Sequence, residues 1–285
     1  MSEIIEELSN RKIIKISNKL CQAQYRIKES SLNIFLMLLT EIAMEDTYFR
    51  NFDIAVSAIE KKLGKQINRA SIDSLCKELT GANIYLPDYG ESIALCSQCE
   101  KIQEDGGTFL QIKINPELKI YLLDLQFGFT QLNLDHILAL NGFYAKRIYM
   151  LLKQFSGLST WKVKLETLYS YLAVPQSYQN RYDNFKSRVL TPAIEQIKKL
   201  SDKEFDIAYT EDKRGSRKVK MLVFKYTKFA KPKKITPGFT KKLKSEKKKR
   251  AFEELKEWVR QNPIDEEYLF PDEHCIAMGQ KLVGF

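Results

Sequence analysis

The amphipathic segments of this chain come in an order that occurs twice, and a repeated order limits the fold to two similar units. In the first pass, Ile14 and Ile16 flank Lys15 in a short alternating strand over Arg11 to Ser17. Ser30 and Ser31 offer hydroxyls to cap a helix in which Leu32, Phe35, Leu36, Leu39, Ile42 and Ala43 recur at helical spacing. Phe52 to Val56 alternates as a strand, Ser57 caps a short helix through Leu63, and Gly64 ends it. Arg69 to Leu79 sets Ile72, Leu75, Cys76 and Leu79 on one face and closes at Gly81. Ile84 to Leu86 and Phe109 to Ile114 are expected to pair as a hairpin, with a polar loop from Cys96 to Gly107 between them.

In the second pass, Asp135 to Phe155 is expected as one long helix with Leu138, Tyr144, Ile148, Leu151, Leu152 and Phe155 inward, closed by Ser156-Gly157. His136, beside Asp135, is expected to cap this helix or lie on its surface. Trp161, Val163 and Leu165 alternate as a strand, Glu166 to Leu172 makes a short helix, and Pro175 breaks it. Arg181 to Leu200 is the third helix. Pro192 removes the bond to the Arg188 carbonyl, so a kink or restart is expected there. Phe205, Ile207 and Tyr209 form a strand, Lys213-Arg214-Gly215-Ser216-Arg217 a turn, and Val219 to Tyr226 the returning strand. Helix, strand, helix, helix, hairpin is the order of a winged helix-turn-helix. The expected fold class is therefore α+β, two tandem winged-helix domains with a basic C-terminal extension, divided as 1–128, 129–230 and 231–285.

Forty-six Lys and Arg stand against 36 Asp and Glu among the 285 residues, and the excess is uneven along the chain. Residues 1–180 balance 20 against 20, residues 181–230 hold 13 against 7, residues 231–260 hold 12 against 4, and residues 261–285 hold 1 against 5. A basic surface gathered in one stretch is the footprint of a polyanion, because neutralised phosphates release condensed counterions. A membrane surface would need an apolar helical face opposite the cations. Residues 231–250, with Pro232, Pro237 and Gly238 among their lysines, provide none and are expected as a basic linker and tail. Ile34 to Leu39 is the longest apolar run, far below the about 20 residues of a spanning helix. Met1 to Glu7 lacks a signal-like flank, so a cytoplasmic location with its five cysteines as thiols is expected.

Burying Phe185, Val189, Ala193, Ile197 and Leu200 of the third helix leaves Asn184, Ser187, Arg188, Thr191 and Glu195 outward. Such a face can read base edges in a major groove: Arg pairs with guanine, Asn with adenine, and Ser or Thr with either. Arg181 and Lys186 flank it and suit phosphates, while Lys213, Arg214, Arg217 and Lys218 fit a wing that tracks the backbone or probes a minor groove. The first unit offers Lys65, Asn68 and Arg69, with Gln66, Asp73 and Lys77 nearby, as auxiliary contacts. The zero net charge over residues 1–180 leaves weaker DNA contact and a surface for self-association or protein partners both open. Cys96-Ser97-Gln98-Cys99 has the spacing of half a zinc site, but no second CxxC follows, and the thiols read as loop and core residues with no metal expected. A phosphate loop, a GxSxG elbow and an HExxH pair are all missing from the sequence, so neither catalysis nor a cofactor is expected.

Three segments carry a resemblance. They are Asn115-Pro116-Glu117-Leu118 followed by Tyr121-Leu122-Leu123, then Tyr144-Ala145-Lys146-Arg147-Ile148-Tyr149-Met150-Leu151-Leu152-Lys153-Gln154-Phe155, then Phe185-Lys186-Ser187-Arg188-Val189-Leu190-Thr191-Pro192-Ala193-Ile194-Glu195-Gln196-Ile197. In that order they resemble the plasmid replication initiators of the Rep_3 superfamily, iteron-binding proteins with two winged-helix domains. The likeness is good over residues 110–226, looser over 10–110, and departs at Asn141-Gly142. It implies a non-enzymatic initiator that binds direct repeats in double-stranded DNA as a monomer, helps open the origin and recruits a host initiator ATPase and the replicative helicase. It also implies that a homodimer represses the promoter of its own gene. Repeat reading would fall to Asn184, Lys186, Ser187 and Arg188, with Lys146 and Arg147 on the preceding shared motif. The alternative is a winged-helix transcriptional regulator without an initiation role, which needs the same groove-reading helix.

Overall fold

The computed structural model describes residues 13–226 except 43–45, 47, 87–89, 105, 106, 124, 126, 127, 201–205 and 216, and of Arg69 only the backbone. The expected extension over 231–285 lies outside the described residues, as do Arg11, Lys12, Ala43, Phe205 and Ser216. Strand β1 (Ile13–Ser17) leads into a short helix α1 (Asn18–Gln22), capped by the Ser17 hydroxyl, which accepts from the Leu20 N–H at 3.2 Å. After β2 (Gln24–Arg26) come α2 (Glu29–Leu38), β3 (Phe52–Ala55), α3 (Val56–Leu63) and α4 (Arg69–Thr80). Strands β4 (Asn83–Leu86), β5 (Glu91–Ala94), β6 (Cys96–Glu104) and β7 (Gly107–Ile114) complete the first half. A 3₁₀ turn at Pro116–Leu118 and α5 (Lys119–Leu122) connect it to β8 (Phe129–Asn133), which pairs antiparallel with β1.

The second half runs α6 (Leu134–Ala139), α7 (Phe143–Gln154), β9 (Thr160–Lys164), α8 (Leu165–Tyr171) and α9 (Gln176–Gln179). Helix α10 (Tyr182–Phe185), a π turn (Lys186–Leu190) and α11 (Thr191–Lys198) follow, then β10 (Ile207–Asp212) and β11 (Met221–Tyr226). The repeat holds at the level of hydrogen-bonded topology. In the first half β3 pairs with β7, which pairs with β6; in the second, β9 pairs with β11, which pairs with β10. In each half the strand after the first helix joins the returning strand of the hairpin, which defines two winged helices. The first half adds a second sheet, β2-β4-β5.

This topology corrects the expected hairpin. Leu86 and Ile84 pair with β5 and not with Phe109 to Ile114, and the stretch expected as a polar loop is β6, the outgoing strand of the first wing. Residues Ser97 to Glu104 are almost all polar because β6 is an edge strand with much of its surface in solvent, so no apolar alternation marks it. Caps also differ from expectation. Helix α2 starts after Lys28, with Ser31 buried and the Ser30 hydroxyl donating to Glu78 Oε2 at 2.8 Å; α3 starts after Ala55, ahead of Ser57. Gly64 does end α3, in the left-handed region at φ 60°.

The expected long helix from Asp135 to Phe155 is two helices broken at Leu140 to Gly142, where Gly142 takes φ 90°, a conformation a side chain would strain. His136 is buried, and the cap of α6 is Asn133, whose Oδ1 accepts from the Asp135 N–H at 2.9 Å. Helix α7 is buried on every side from Ala145 to Leu152, which makes it the central rod of the molecule. The hairpin clamps its C-terminal end: Phe155 stacks on Trp161 at 4.5 Å, Trp161 stacks on Phe224 at 5.1 Å, and the Tyr226 hydroxyl donates to the Leu152 carbonyl at 2.9 Å. Among the described residues, no helix is long and apolar enough to cross a membrane.

Two charged residues in the middle of α7 join the halves. The Arg147 guanidinium is fully buried and donates to the carbonyls of Cys21 (2.8 Å), Ala23 (2.7 Å) and Tyr171 (3.2 Å), while lying 3.9 Å from the Tyr25 ring centroid. It thus ties the α1–β2 segment to α8. Lys146, also buried, donates to the Leu140 carbonyl and pairs with Glu29 of α2 at 3.1 Å. Glu29 accepts in addition from the Gly142 N–H at 2.9 Å, and Gln196 of α11 bonds both backbone groups of Asn141, at 2.7 and 3.2 Å. The helix break is therefore a knot between the first half and the third helix of the second.

Candidate nucleic-acid interface

Pro192 decides the local shape of the third helix. It has no N–H, and its ring crowds the carbonyl one turn back, a conflict that one extra residue in the preceding turn relieves. The Thr191 N–H accordingly donates to the Lys186 carbonyl, five residues back, and the π turn leads directly into α11. Where a kink or restart is expected at Pro192, the helix passes through a π turn and resumes as α11 at Thr191. Phe185, Val189, Ala193 and Ile197 are buried and Leu200 packs against the core, while Arg181, Ser187, Arg188 and Glu195 are exposed and Asn184 and Thr191 half-buried. The outward stripe expected from the sequence is thus brought to one face.

Individual side chains on that face are held differently. The Arg188 guanidinium lies over the Tyr178 ring of α9 at 5.9 Å, an exposed cation–π contact that limits its swing. Ser187 Oγ donates to the Asp183 carbonyl at 2.7 Å, which occupies its proton and leaves its lone pairs. Lys186 Nζ lies 2.8 Å from Glu211 Oε1 of β10, and the same oxygen accepts from the Tyr182 hydroxyl at 2.8 Å. Burial alone would push the Glu211 carboxyl up, but the hydrogen bonds from Lys186 and Tyr182 outweigh it and hold the carboxyl below its ordinary value. The same bond raises Lys186, and desolvation followed by the bond to Glu211 pushes the Tyr182 phenol up. This triad locks the start of the helix to the wing strand. Tyr178, Tyr182 and Glu211 carry no signal in the sequence, because they act through residues distant along the chain.

The wing turn stands on Asp212. Its carbonyl accepts from the Lys220 N–H at 3.0 Å and its Oδ1 from the Arg214 N–H at 2.8 Å. The chain reverses through Arg214 at φ 44° and Gly215 at φ 74°. A side-chain-bearing residue in the left-handed region is uncommon and marks stored backbone strain. Lys213, Arg214, Arg217 and Lys218 are all exposed around this turn. In the first half, the equivalent strand β6 carries Glu100, Lys101 and Glu104. Lys65 is exposed there, the Asn68 side chain caps α4 by accepting from the Ser71 N–H at 2.8 Å, and Arg69 opens that helix. The second half therefore presents a polar helical face flanked by a protruding basic turn. Its chemistry matches phosphate oxygens along the wing and base edges along the helix.

The architecture defines a tandem winged-helix protein. Residues 13–153 match the family model described as initiator replication protein, WH1, and residues 164–226 match the one described as initiator Rep protein, WH2, so the chain belongs to the initiator replication protein family. Among solved structures, it is similar to the Pi initiator protein crystallised in complex with iteron DNA. That match has a TM-score of 0.61 at 18% identity over 76% of this chain and 97% of that one, a likeness of fold. Domains 2–3 of RctB also match, with a TM-score of 0.40 at 12% identity over 70% of this chain and 82% of that one.

Proposed function

We propose that this chain is a plasmid replication initiator that binds directly repeated duplex sites, using the α10–α11 helix for base edges and the 213–218 turn for phosphates. The observation that carries the reading is that Arg181, Ser187 and Arg188 stand exposed on one helical face, which Lys186 and Tyr182 tie through Glu211 to the strand leading into the exposed Lys213, Arg214, Arg217 and Lys218. In this reading the first half contributes weaker duplex contacts through Lys65, Asn68 and Arg69 and mediates homodimerisation. The bound initiator strains adjacent DNA and recruits a host initiator ATPase and replicative helicase, without chemistry of its own. Footprinting on the DNA flanking its gene tests this. Protection should recur at tandem sites spaced by whole helical turns, and supercoiled DNA carrying them should stay unnicked with magnesium present. Equal affinity for cognate and scrambled duplex at low salt overturns the reading.

A further inference from the structure

The register of the β9–β11–β10 sheet sorts its side chains onto two faces. Lys164 pairs with Met221, Lys162 with Val223 and Thr160 with Lys225; on its other side β11 sets Val223 against Thr210 and Lys225 against Ala208. Directly paired residues point the same way, so one face carries the exposed Lys162 and Lys164 of β9 and Lys225 of β11, between the hydroxyls of Thr160 and Thr210. The alternate residues Trp161, Val163, Leu222, Phe224 and Ile207 are buried on the other face. Glu211 belongs to that other face, by its place between Thr210 and Asp212, and takes the Tyr182 hydroxyl and the Lys186 ammonium. Helix α10 and the π turn therefore lie behind the sheet. A duplex seated on their outward side has the sheet between itself and the three lysines.

Lys162 and Lys164 stand about 7 Å apart along β9, and Lys225 sits diagonally across from Lys162 at a similar distance. Among the described residues, no carboxylate pairs with any of the three. Asp212, the acid on this face, is taken by Arg214, whose N–H donates to it at 2.8 Å and whose Nε lies 3.8 Å from it. Arg214 Nη2 also reaches Sδ of Met221, the partner of Lys164, at 3.4 Å, which carries the positive track on to the wing. Lysines on an edge strand deter edge-to-edge pairing, which accounts for charge on β9, but β11 is the central strand and Lys225 guards no edge. A single strand would need aromatic rings on which to stack its bases, and the apolar residues of this face are Val223 and Met221. We infer that this sheet face is a second nucleic-acid site, which holds the phosphate backbone of a further duplex segment without regard to its sequence. The lysine ammoniums and the two hydroxyls donate to phosphate oxygens, and the neutralised phosphates release counterions. The inference rests on the proposed function for the occupant of the helix, not for its own cations.

The full chain, saturated with a short unlabelled duplex carrying the footprinted repeat, should still bind a labelled random-sequence duplex in anisotropy titrations at low salt. Lys162→Gln, Lys164→Gln and Lys225→Gln together should weaken that second binding about tenfold or more and flatten its salt slope by about 0.9 for each phosphate released. Affinity for the repeat itself should stay unchanged in this triple variant, which also shows that the variant is folded. Loss of preference for the repeat, with the lysine-dependent second binding intact, would overturn the proposed function and uphold this site. No second duplex bound at saturation, undiminished second binding in the triple variant, or displacement of the labelled duplex by single-stranded DNA more readily than by duplex overturns the inference.

Discussion

Two arginines on neighbouring helices show how burial decides the work of a side chain. Arg147 has no access to solvent and satisfies three carbonyls from two separate segments. Burial pulls its pKa down, but a guanidinium remains charged, so its partners cannot be removed cheaply. Arg147→Met should cost about 3 kcal/mol or more in urea unfolding, because the Cys21, Ala23 and Tyr171 carbonyls lose their donor; a loss under about 1 kcal/mol would contradict this anchoring. Arg188 is exposed and rests on Tyr178, and in the proposed reading it meets a base. Arg188→Ala should weaken cognate duplex binding by about 1 to 3 kcal/mol and leave random duplex nearly unaffected. Titrations showing equal losses on both would assign it to phosphate instead. The outward position of Arg188 was legible from the 3.6-residue period. The burial of Lys146 and Arg147 was not, since a dibasic pair inside an amphipathic helix reads as solvent-facing until carbonyls from remote segments supply its partners.

At the scale of elements, periodicity located every helix of the second half except α9, and it failed where a break or an edge governs the outcome. The apolar period runs through Leu138 and Tyr144 without interruption, yet Gly142 turns the chain between them, because Glu29 and Gln196 hold the exposed backbone of Asn141 and Gly142 in place. Strand β6 was illegible for the opposite reason: a two-sided polar edge has no pattern to read. The second wing was legible because turn residues and cations coincide. Its function can be tested apart from its folding. Replacing Lys213 and Arg214 together by Ala removes two exposed cations along with the Arg214 contacts to Asp212 (3.8 Å) and Met221 Sδ (3.4 Å), and leaves the backbone pairing of both sheet pairs intact, so unfolding should shift little. The slope of log K against log salt should become shallower by about 0.9 for each phosphate that the wing no longer neutralises, on every duplex sequence. An unchanged slope in salt titrations would remove the wing from the interface.

For the whole molecule, the question is what makes two similar halves behave as one body. The apolar contacts of α7 run into both, but they have no direction, whereas the Glu29 carboxylate binds at defined positions: Gly142 N–H at 2.9 Å and Lys146 Nζ at 3.1 Å. Burial pulls Lys146 down and the bond to Glu29 counters it. Without Glu29, Lys146 would be left in the core with only the Leu140 carbonyl. The Glu29 side chain is 38% exposed, so the pair is partly screened and its loss should cost less than a fully buried one, about 1 to 2 kcal/mol. Glu29→Ala should therefore lower stability by that amount and separate the unfolding of the halves, with amide exchange over α2 to α4 rising before that over β9 to β11. Because Gln196 bonds Asn141 on the other side of the same break, Gln196→Ala and Glu29→Ala share a structural element and their costs should be non-additive in a double-mutant cycle. Strict additivity, with one unfolding transition retained in the double variant, would mean that apolar packing around α7 alone unites the halves and that the knot at residues 140–142 merely fills a turn.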